Sequence, residues 1–311
     1  MLLSIAIPTY NRAFYLDKNL NELFKQYRNN FQVIVQDNAS NDNTPEVIYK
    51  YKKMGLPIVY EINEKNLGWS KNFEICFKKV KTDYVILLGD DDVIIDGGIK
   101  IILKNIRKSN PDLIFMKAFA FNKYNFKKNK KEHFGDVLNL ESFLYKSILQ
   151  FRLMSSYVFK TKYIKNIKDY SGNFAHLHVV FETLNKGNSF MFINDKLIGC
   201  FKNNSDFDYR VNFSDIYVKE FFQLFRKYLS NKISHNSMEI IENIMLKKYF
   251  PKLILKSKFG FIKKDNSIKQ NFDLIFEKNK FYKKNRAFYI ENNLTSLFFL
   301  MFIIVCNIIK R

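Results

Sequence analysis

The chain has 311 residues, 51 Lys and Arg against 30 Asp and Glu (formal charge +21), and a hydrophobic content of 47%. Its length allows one large or two small domains with a sizeable core, and the apolar content excludes wholesale disorder. Cys76, Cys200 and Cys306 are widely spaced with no CxxC pair, which argues against a disulfide framework or a cysteine-rich zinc site and fits a reducing cytosol.

The opening MLLSIAIPTYNR lacks a basic leader, and its apolar stretch is short, so it does not read as a signal peptide. Residues 2–8 read as a buried strand, and Leu16, Leu20, Leu23, Phe24 and Tyr27 set an apolar stripe for a helix over 15–27. FQVIVQ (31–36) is a second strand, and Thr44 and Pro45 read as N-cap and first position of a helix to about Met54. Strands follow at 57–62, 83–88 and 112–121, with helices expected over 68–80 and 96–109. Such alternation predicts an α/β fold with a mostly parallel sheet flanked by helices. Ligands of such sheets bind beyond the carboxyl ends of the strands. Four polar clusters fall there: PTYNR, QDNASNDN, NEKNLGWS and GDDD.

Residues 122–134 are basic and read as a loop or short excursion; from 140 to 200 a helix, the apolar SSYVFKT, a helix over 174–187 and the strand SFMFIND are expected. Residues 215–290 read as mostly helical, basic and aromatic, and no repeat of fixed period is present. The charge is uneven. Residues 1–100 balance 13 basic against 13 acidic side chains, whereas 244–290 hold 13 basic against three acidic. That concentration attracts polyanions, nucleic acid or an anionic membrane face, although AT-rich coding also enriches Lys, Asn, Ile and Phe together. Leu297–Ile309 is apolar except Asn307, shorter than the roughly 20 residues that span a bilayer, and is expected to lie at an interface or dock on a partner. Basic residues interleaved with aliphatics and leading into that tail favour an anionic membrane surface over nucleic acid.

Asp90, Asp91 and Asp92 repel one another unless a cation or positive groups hold them. Hard oxygen donors suit Mg²⁺ or Mn²⁺. An EF-hand is excluded, because the position that should be Glu is Ile101 counted from Asp90 and Leu103 counted from Asp92.

IAIPTYNR, VQDNASNDNT, NLGWSKN and LLGDDD, in that order, resemble the nucleotide-sugar-binding half of glycosyltransferase family 2, most of all members that build bacterial surface glycans, including deoxyhexosyl transferases of O-antigen type. Composition sets apart a basic, mostly helical region (215–293) and an apolar tail (294–311), to which the resemblance does not extend. The resemblance implies the GT-A fold, with a nucleotide-sugar-binding half (1–121) and an acceptor and catalytic half (122–214). It implies that Pro8, Thr9 and Asn11 shape the base pocket, Arg12 contacts phosphate, Asp37 recognises the base, and Asn66 and Gly68 close over the nucleotide. Asp90 and Asp92 match a DxD pair, Asp90 towards the ribose and Asp92 towards the metal, with Asp91 between them in the donor site. Inverting members carry a Glu-Asp pair where this chain has Ala175-His176, which departs from the family; His176 is the candidate base in its place, and His178 is splayed away from it on a helix. Asp206, Asp208 and Arg210 are further candidates for diphosphate or acceptor contact. The expected activity is metal-dependent, inverting transfer from a nucleotide-diphosphate sugar, UDP-sugar favoured, to a lipid-linked or lipid-anchored glycan at the cytoplasmic membrane face. No Walker or GxGxxG motif occurs. A nucleotidyltransferase would want glycine after the first strand, and PTYNRAFYL has none. An inactive membrane-bound scaffold and a nucleic-acid-binding protein remain the alternatives.

Overall fold

The structure, a computed structural model, describes residues 1–124, 134–201, 211–291 and 294–309. Asp206, Asp208 and Arg210 lie outside the described residues, as does most of the basic stretch after residue 124. The chain divides into two compact units, one of Met1–Phe143 with Gln150–Asn203, the other of Leu144–Leu149 with Asn204–Arg311.

In the first unit the order is β1 (Leu3–Thr9), α1 (Ala13–Gln26), β2 (Phe31–Asp37), α2 (Thr44–Lys53), β3 (Ile58–Ile62), α3 (Trp69–Lys78), β4 (Tyr84–Leu87), β5 (Asp92–Ile94), α4 (Gly98–Ser109), β6 (Leu113–Phe121) and β7 (Asp136–Leu138). Helix α5 (Leu140–Ser147) carries the chain across the boundary, and β8 (Tyr157–Lys160), α6 (Ala175–Lys186) and β9 (Phe190–Phe201) complete the unit. The strands form one sheet in the order β3-β2-β1-β4-β8-β6-β9-β5, with β7 on β9. Strand β1 pairs in parallel with β2 and β4, and β2 with β3, as the βαβ alternation predicts. Beyond β4 the sheet is mixed: β8 runs antiparallel between β4 and β6, β6 pairs in parallel with β9, and β5 runs antiparallel to β9.

Strand β1 is buried along its whole length, which is why its sequence is mostly apolar rather than alternating, and its buried Ser4 and Thr9 hydroxyls are hydrogen-bonded. Leu3, Ile5 and Ile7 pack with Leu16, Leu20 and Leu23 of α1 and with Ile99, Ile102 and Ile106 of α4. Helix α3 packs on β1 and β2. Its Phe73 stacks on Phe77 at 4.8 Å, and Phe77 meets Phe159 of β8 at 6.2 Å. The entry to α2 differs by one residue from expectation. Thr44 is already helical, and the Asp42 carboxylate takes both its backbone N–H (3.1 Å) and its hydroxyl (2.6 Å).

The second unit continues from a π-helical segment, Asp215–Glu220, into α7 (Phe221–Leu229), followed by α8 (His235–Lys248), α9 (Phe250–Lys258), α10 (Ile268–Phe276), α11 (Lys280–Ile290) and α12 (Leu294–Ile309). Its aromatic richness is spent on a core in which Phe222 meets Phe276 at 5.1 Å and Phe250 meets Phe272 at 5.3 Å. Two buried tyrosines place their hydroxyls on partners, Tyr289 donating to the Leu246 carbonyl at 2.9 Å and Tyr282 to Asp273 at 2.9 Å.

Asp112, at the entry to β6, accepts from the backbone N–H groups of Asn188 (2.9 Å) and Ser189 (3.2 Å) and from Lys160 (3.2 Å). Burial pushes its carboxyl up, but these bonds and one from Tyr163 outweigh it and hold the pKa down at about 2. Because the folded value lies below the unfolded one, the stabilisation is present above about pH 4 and is lost as pH falls through about 2. Asp112→Ala is expected to lower stability in urea unfolding at pH 7 by about 1–2 kcal/mol after solvent screening, the gap to wild type narrowing below pH 4. An unchanged midpoint at pH 7 would contradict this.

Candidate active site

The parallel register of β1, β2, β3 and β4 sets the carboxyl ends of these strands side by side, so the loops that follow them meet along one edge of the sheet. The chain reaches that edge at Thr9, Asp37, Ile62 and Leu87. The acidic turn begins two residues beyond the end of β4. Thr9 donates its hydroxyl to Asp90 Oδ2 at 2.9 Å. Arg12 reaches across with Nη1, 3.1 Å from Asp90 Oδ1 and 2.8 Å from Asp91 Oδ2, and its guanidinium lies 5.6 Å from the centre of the Tyr15 ring. Arg12, read from the sequence as a phosphate contact, thus bridges two of the three carboxylates.

Asp90 is buried, and its pKa is pushed up to about 6 by burial, against the opposing pull of Arg12 and with the Asp91 charge adding to it. Asp92 is raised as well, by close protein surroundings first and then by Asp91. Ser155, between β8 and the chain that precedes it, donates its hydroxyl to Asp92 Oδ2 and accepts the Gly89 N–H at 2.9 Å. Strand pairing sets Asp92 opposite Cys200, whose thiol bonds to the carboxylate and is itself held protonated by burial and by that charge. Asn19 of α1 clamps the backbone of the turn, donating to the carbonyls of Gly89 (2.9 Å) and Asp92 (2.7 Å). A Cβ on Gly89 would come within 3.1 Å of Asp92 Oδ2, 3.2 Å of Asp91 Oδ1 and 3.3 Å of Met154, so glycine lets the carboxylates close around this point.

These residues suit a divalent ion of the Mg²⁺ or Mn²⁺ kind. Such ions take one or two protein carboxylates and complete their shell with phosphate and water. Among the described residues no group of three or more His, Cys, Asp or Glu forms a protein-only cage. Burial is the main cause of the upward shifts of Asp90 and Asp92, and the neighbouring Asp91 charge adds to both; a cation bound there would favour the charged carboxylates.

The neighbouring loops are held by amides. Pro8 and Thr9 close β1, and Asn11 follows in the left-handed region (φ 52°), its N–H donating to Ser40 (2.8 Å) and its side-chain oxygen accepting from the Asn41 N–H (2.8 Å). Asp37 is fully buried; it accepts from the Ser40 N–H at 2.9 Å and from the Tyr60 hydroxyl at 2.8 Å. Asn38 accepts from Asn63 (2.9 Å) and the Leu67 N–H (2.9 Å), and donates to Asn66 at 2.8 Å. Asn66 in turn accepts the N–H of Gly68 (2.8 Å), which at φ 80° turns the chain into α3. Asn63 also joins Asn72 (2.9 Å) and Gln36 (2.9 Å), so the loop after β3 hangs from one continuous amide network.

His176 takes the second position of α6 and is 4% exposed, as is His178. Neither ring nitrogen of His176 has a well-formed hydrogen bond, and burial drives its pKa down to about 3 although the backbone of Phe151 and Arg152 favours the charged form. His178 Nε2 lies 3.2 Å from the Ser171 carbonyl. Both rings are buried, although helical spacing splays them apart along α6.

Ser155, Cys200, Asn19, Asn38 and Asn63 were not singled out from the sequence. Asn19 was legible, since it interrupts the buried stripe Leu16–Leu20–Leu23, and a polar residue in such a stripe needs a partner. Ser155 and Cys200 lie 63 and 108 positions from Asp92, and nothing local announces them.

Residues 4–174 match the family described as Glycosyl transferase family 2, more than half of the chain. Abequosyltransferase RfbV of Salmonella typhimurium is 36% identical over 105 residues, 33% of this chain and 32% of the relative. Poly(ribitol-phosphate) beta-N-acetylglucosaminyltransferase TarS of Staphylococcus aureus is 29% identical over 125 residues, 39% of this chain and 22% of the relative. The matched region therefore spans about a third or less of either relative's length. The crystal structure of TarS residues 1–349 with UDP-GlcNAc shares the fold, with a TM-score of 0.66 at 18% identity over 99% of this chain and 89% of that one. The mannosyltransferase PcManGT of Pyrobaculum calidifontis, in complex with GDP-Man and Mn²⁺, has a TM-score of 0.55 at 13% identity over 80% of this chain and 71% of that one.

Burial of the His176 ring determines what its removal should do to stability. His176→Ala is expected to cost about 2 kcal/mol of stability through the cavity it leaves, with kcat within about threefold of wild type. A fall in kcat of about a hundredfold with stability intact would instead make it the base.

Proposed function

The chain belongs to glycosyl transferase family 2, and from that premise we propose that it transfers a sugar from a nucleotide-diphosphate donor, a UDP-sugar in the first instance, to a lipid-linked or lipid-anchored bacterial surface glycan. The observation that carries this reading is the acidic turn after β4, tied by Thr9 and Arg12 to the loop after β1. That arrangement couples the two loops which a nucleoside and its diphosphate would have to bridge. In the proposal Pro8, Thr9, Asn11 and Asp37 frame the base, and Asn66 and Gly68 close the loop over it. Asp90 lies towards the ribose and Asp91 beside it, with Arg12 placed to trade a carboxylate for a phosphate oxygen. Its guanidinium fork suits either acceptor.

Asp92 would hold the metal, Mn²⁺ or Mg²⁺, with Ser155 and Cys200 fixing its carboxylate. A divalent cation there supplies positive charge to the departing diphosphate. An acceptor hydroxyl attacks the anomeric carbon from the face opposite the leaving group and gives up its proton to a general base as the bond to the nucleoside diphosphate breaks, which inverts the configuration. The relatives support the glycan class by name: one is an abequosyltransferase, the other acts on poly(ribitol-phosphate). The GDP-Man and Mn²⁺ complex of the fold relative is consistent with the choice of cation. An acceptor built on lipid sets the work at the cytoplasmic face of the membrane, with the protein bound peripherally.

Asp92→Ala is expected to lower donor hydrolysis and transfer by at least a hundredfold, measured as nucleoside diphosphate released from a panel of nucleotide sugars. EDTA should silence the wild type, and Mn²⁺ or Mg²⁺ should restore it. Full turnover in EDTA would remove the metal from the account, and binding without turnover across the whole panel would favour an inactive scaffold.

A further inference from the structure

Helix α12 is apolar from Leu297 to Cys306, yet it packs through one side only. Leu300 is fully buried, and Phe299 stacks on Phe288 at 4.2 Å. The other side presents Phe298 (63% exposed), Met301, Phe302 (66%) and Val305, which follow one another at i, i+3, i+4 and i+7 and so form a single stripe. Helix α9, on which α12 packs, ends in a turn of the same character. Phe259 and Phe261 are both exposed on either side of Gly260 (φ 75°), and the exposed Lys263 and Lys264 follow. The turn is ordered by its backbone: the Phe259 N–H donates to the Leu255 carbonyl at 2.9 Å and the Phe261 N–H to that of Lys256 at 2.8 Å. These rings face outward because the fold directs them there.

We propose that the outer stripe of α12 and the Phe259–Lys264 turn together form a docking surface that lies in the plane of an anionic lipid bilayer. Two observations select that occupant. Residues 244–290 carry 13 basic against three acidic side chains, an excess that calls for a negatively charged partner. Aromatic rings beside lysines match the boundary between acyl chains and headgroups, where the rings enter and the long lysine stems reach back to phosphate. No described helix is long and apolar enough to cross a membrane, and the 16 residues of α12 fall short of the roughly 20 that spanning requires. The helix therefore lies in the interface. The proposal rests on the reading of a lipid-linked acceptor for its purpose alone, since binding is measured without donor or acceptor.

The test is co-sedimentation of the full chain with phosphatidylglycerol-rich and with pure phosphatidylcholine vesicles. Wild type should pellet with the anionic vesicles and largely remain in solution with the neutral ones. Phe298→Glu with Phe302→Glu should cut the bound fraction at least tenfold at low salt. Lys263→Gln with Lys264→Gln should weaken binding by roughly tenfold or more, as about fivefold per lost charge implies, and reduce its salt dependence. Phe302→Trp, which preserves the apolar face, should gain emission that brominated acyl chains quench. Nucleoside diphosphate release from the donor should survive in all three variants, so failure here is separable from failure of the transferase reading. Equal binding to neutral vesicles, or no binding to either, would overturn the proposal. So would a dimer of the wild type that Phe298→Glu with Phe302→Glu dissolves, since a second copy would then cover the stripe.

Discussion

Two like charges about 4 Å apart near a protein surface repel by about 4 kcal/mol, and a chain that sets three aspartates in a row has to offset that cost. Here Arg12 bridges Asp90 and Asp91, Thr9 and Ser155 donate hydroxyls to Asp90 and Asp92, and the Cys200 thiol adds a further donor. Asp90 and Asp92 still sit above the ordinary carboxylate range, through burial first and the Asp91 charge second. Much of the surrounding structure follows from holding this turn in place. Asn19 spends both its N–H donors on it, and Gly89 leaves room where a side chain would crowd the carboxylates.

The sheet makes the turn useful. Parallel pairing of β1 with β2 and β4 brings the loops after three strands to one edge, although they are far apart in the chain. The amide network through Gln36, Asn38, Asn63, Asn66 and Asn72 then fixes the loop that enters α3 without placing any charge beside the acidic turn. Amides suit this task because each both donates and accepts, so a closed network leaves few buried groups unsatisfied. The left-handed backbone of Asn11 and of Ala39 (φ 65°) falls in these same loops, and such conformations persist only where surrounding bonds hold them.

What could be seen in the sequence follows the range of the interaction. Buried strands and amphipathic helices announce themselves within a few residues, so the first four strands, their helices and the polar loops beyond them were legible. The short β5 was not, because three residues after an acidic turn carry no periodicity, and its partner Cys200 stands more than a hundred residues away. Ser155 escaped for the same reason. The sequence singles out Asp37 as a candidate, but not the bonds that Ser40 and Tyr60 make to its carboxylate. His176 shows how far spacing can be taken. Helical geometry separates it from His178, yet both rings are buried, because packing on either side of α6 decides exposure and spacing alone does not.

The central claim is that the acidic turn is completed by a divalent cation and a nucleoside diphosphate together. Calorimetric titration of the chain with UDP, in Mn²⁺ and in EDTA, tests it most directly, because it needs neither the sugar nor the acceptor to be known. The account predicts binding at least tenfold tighter in Mn²⁺, with that gain lost in Asp92→Asn. Equal affinity in Mn²⁺ and in EDTA, or a gain that survives Asp92→Asn, would contradict it.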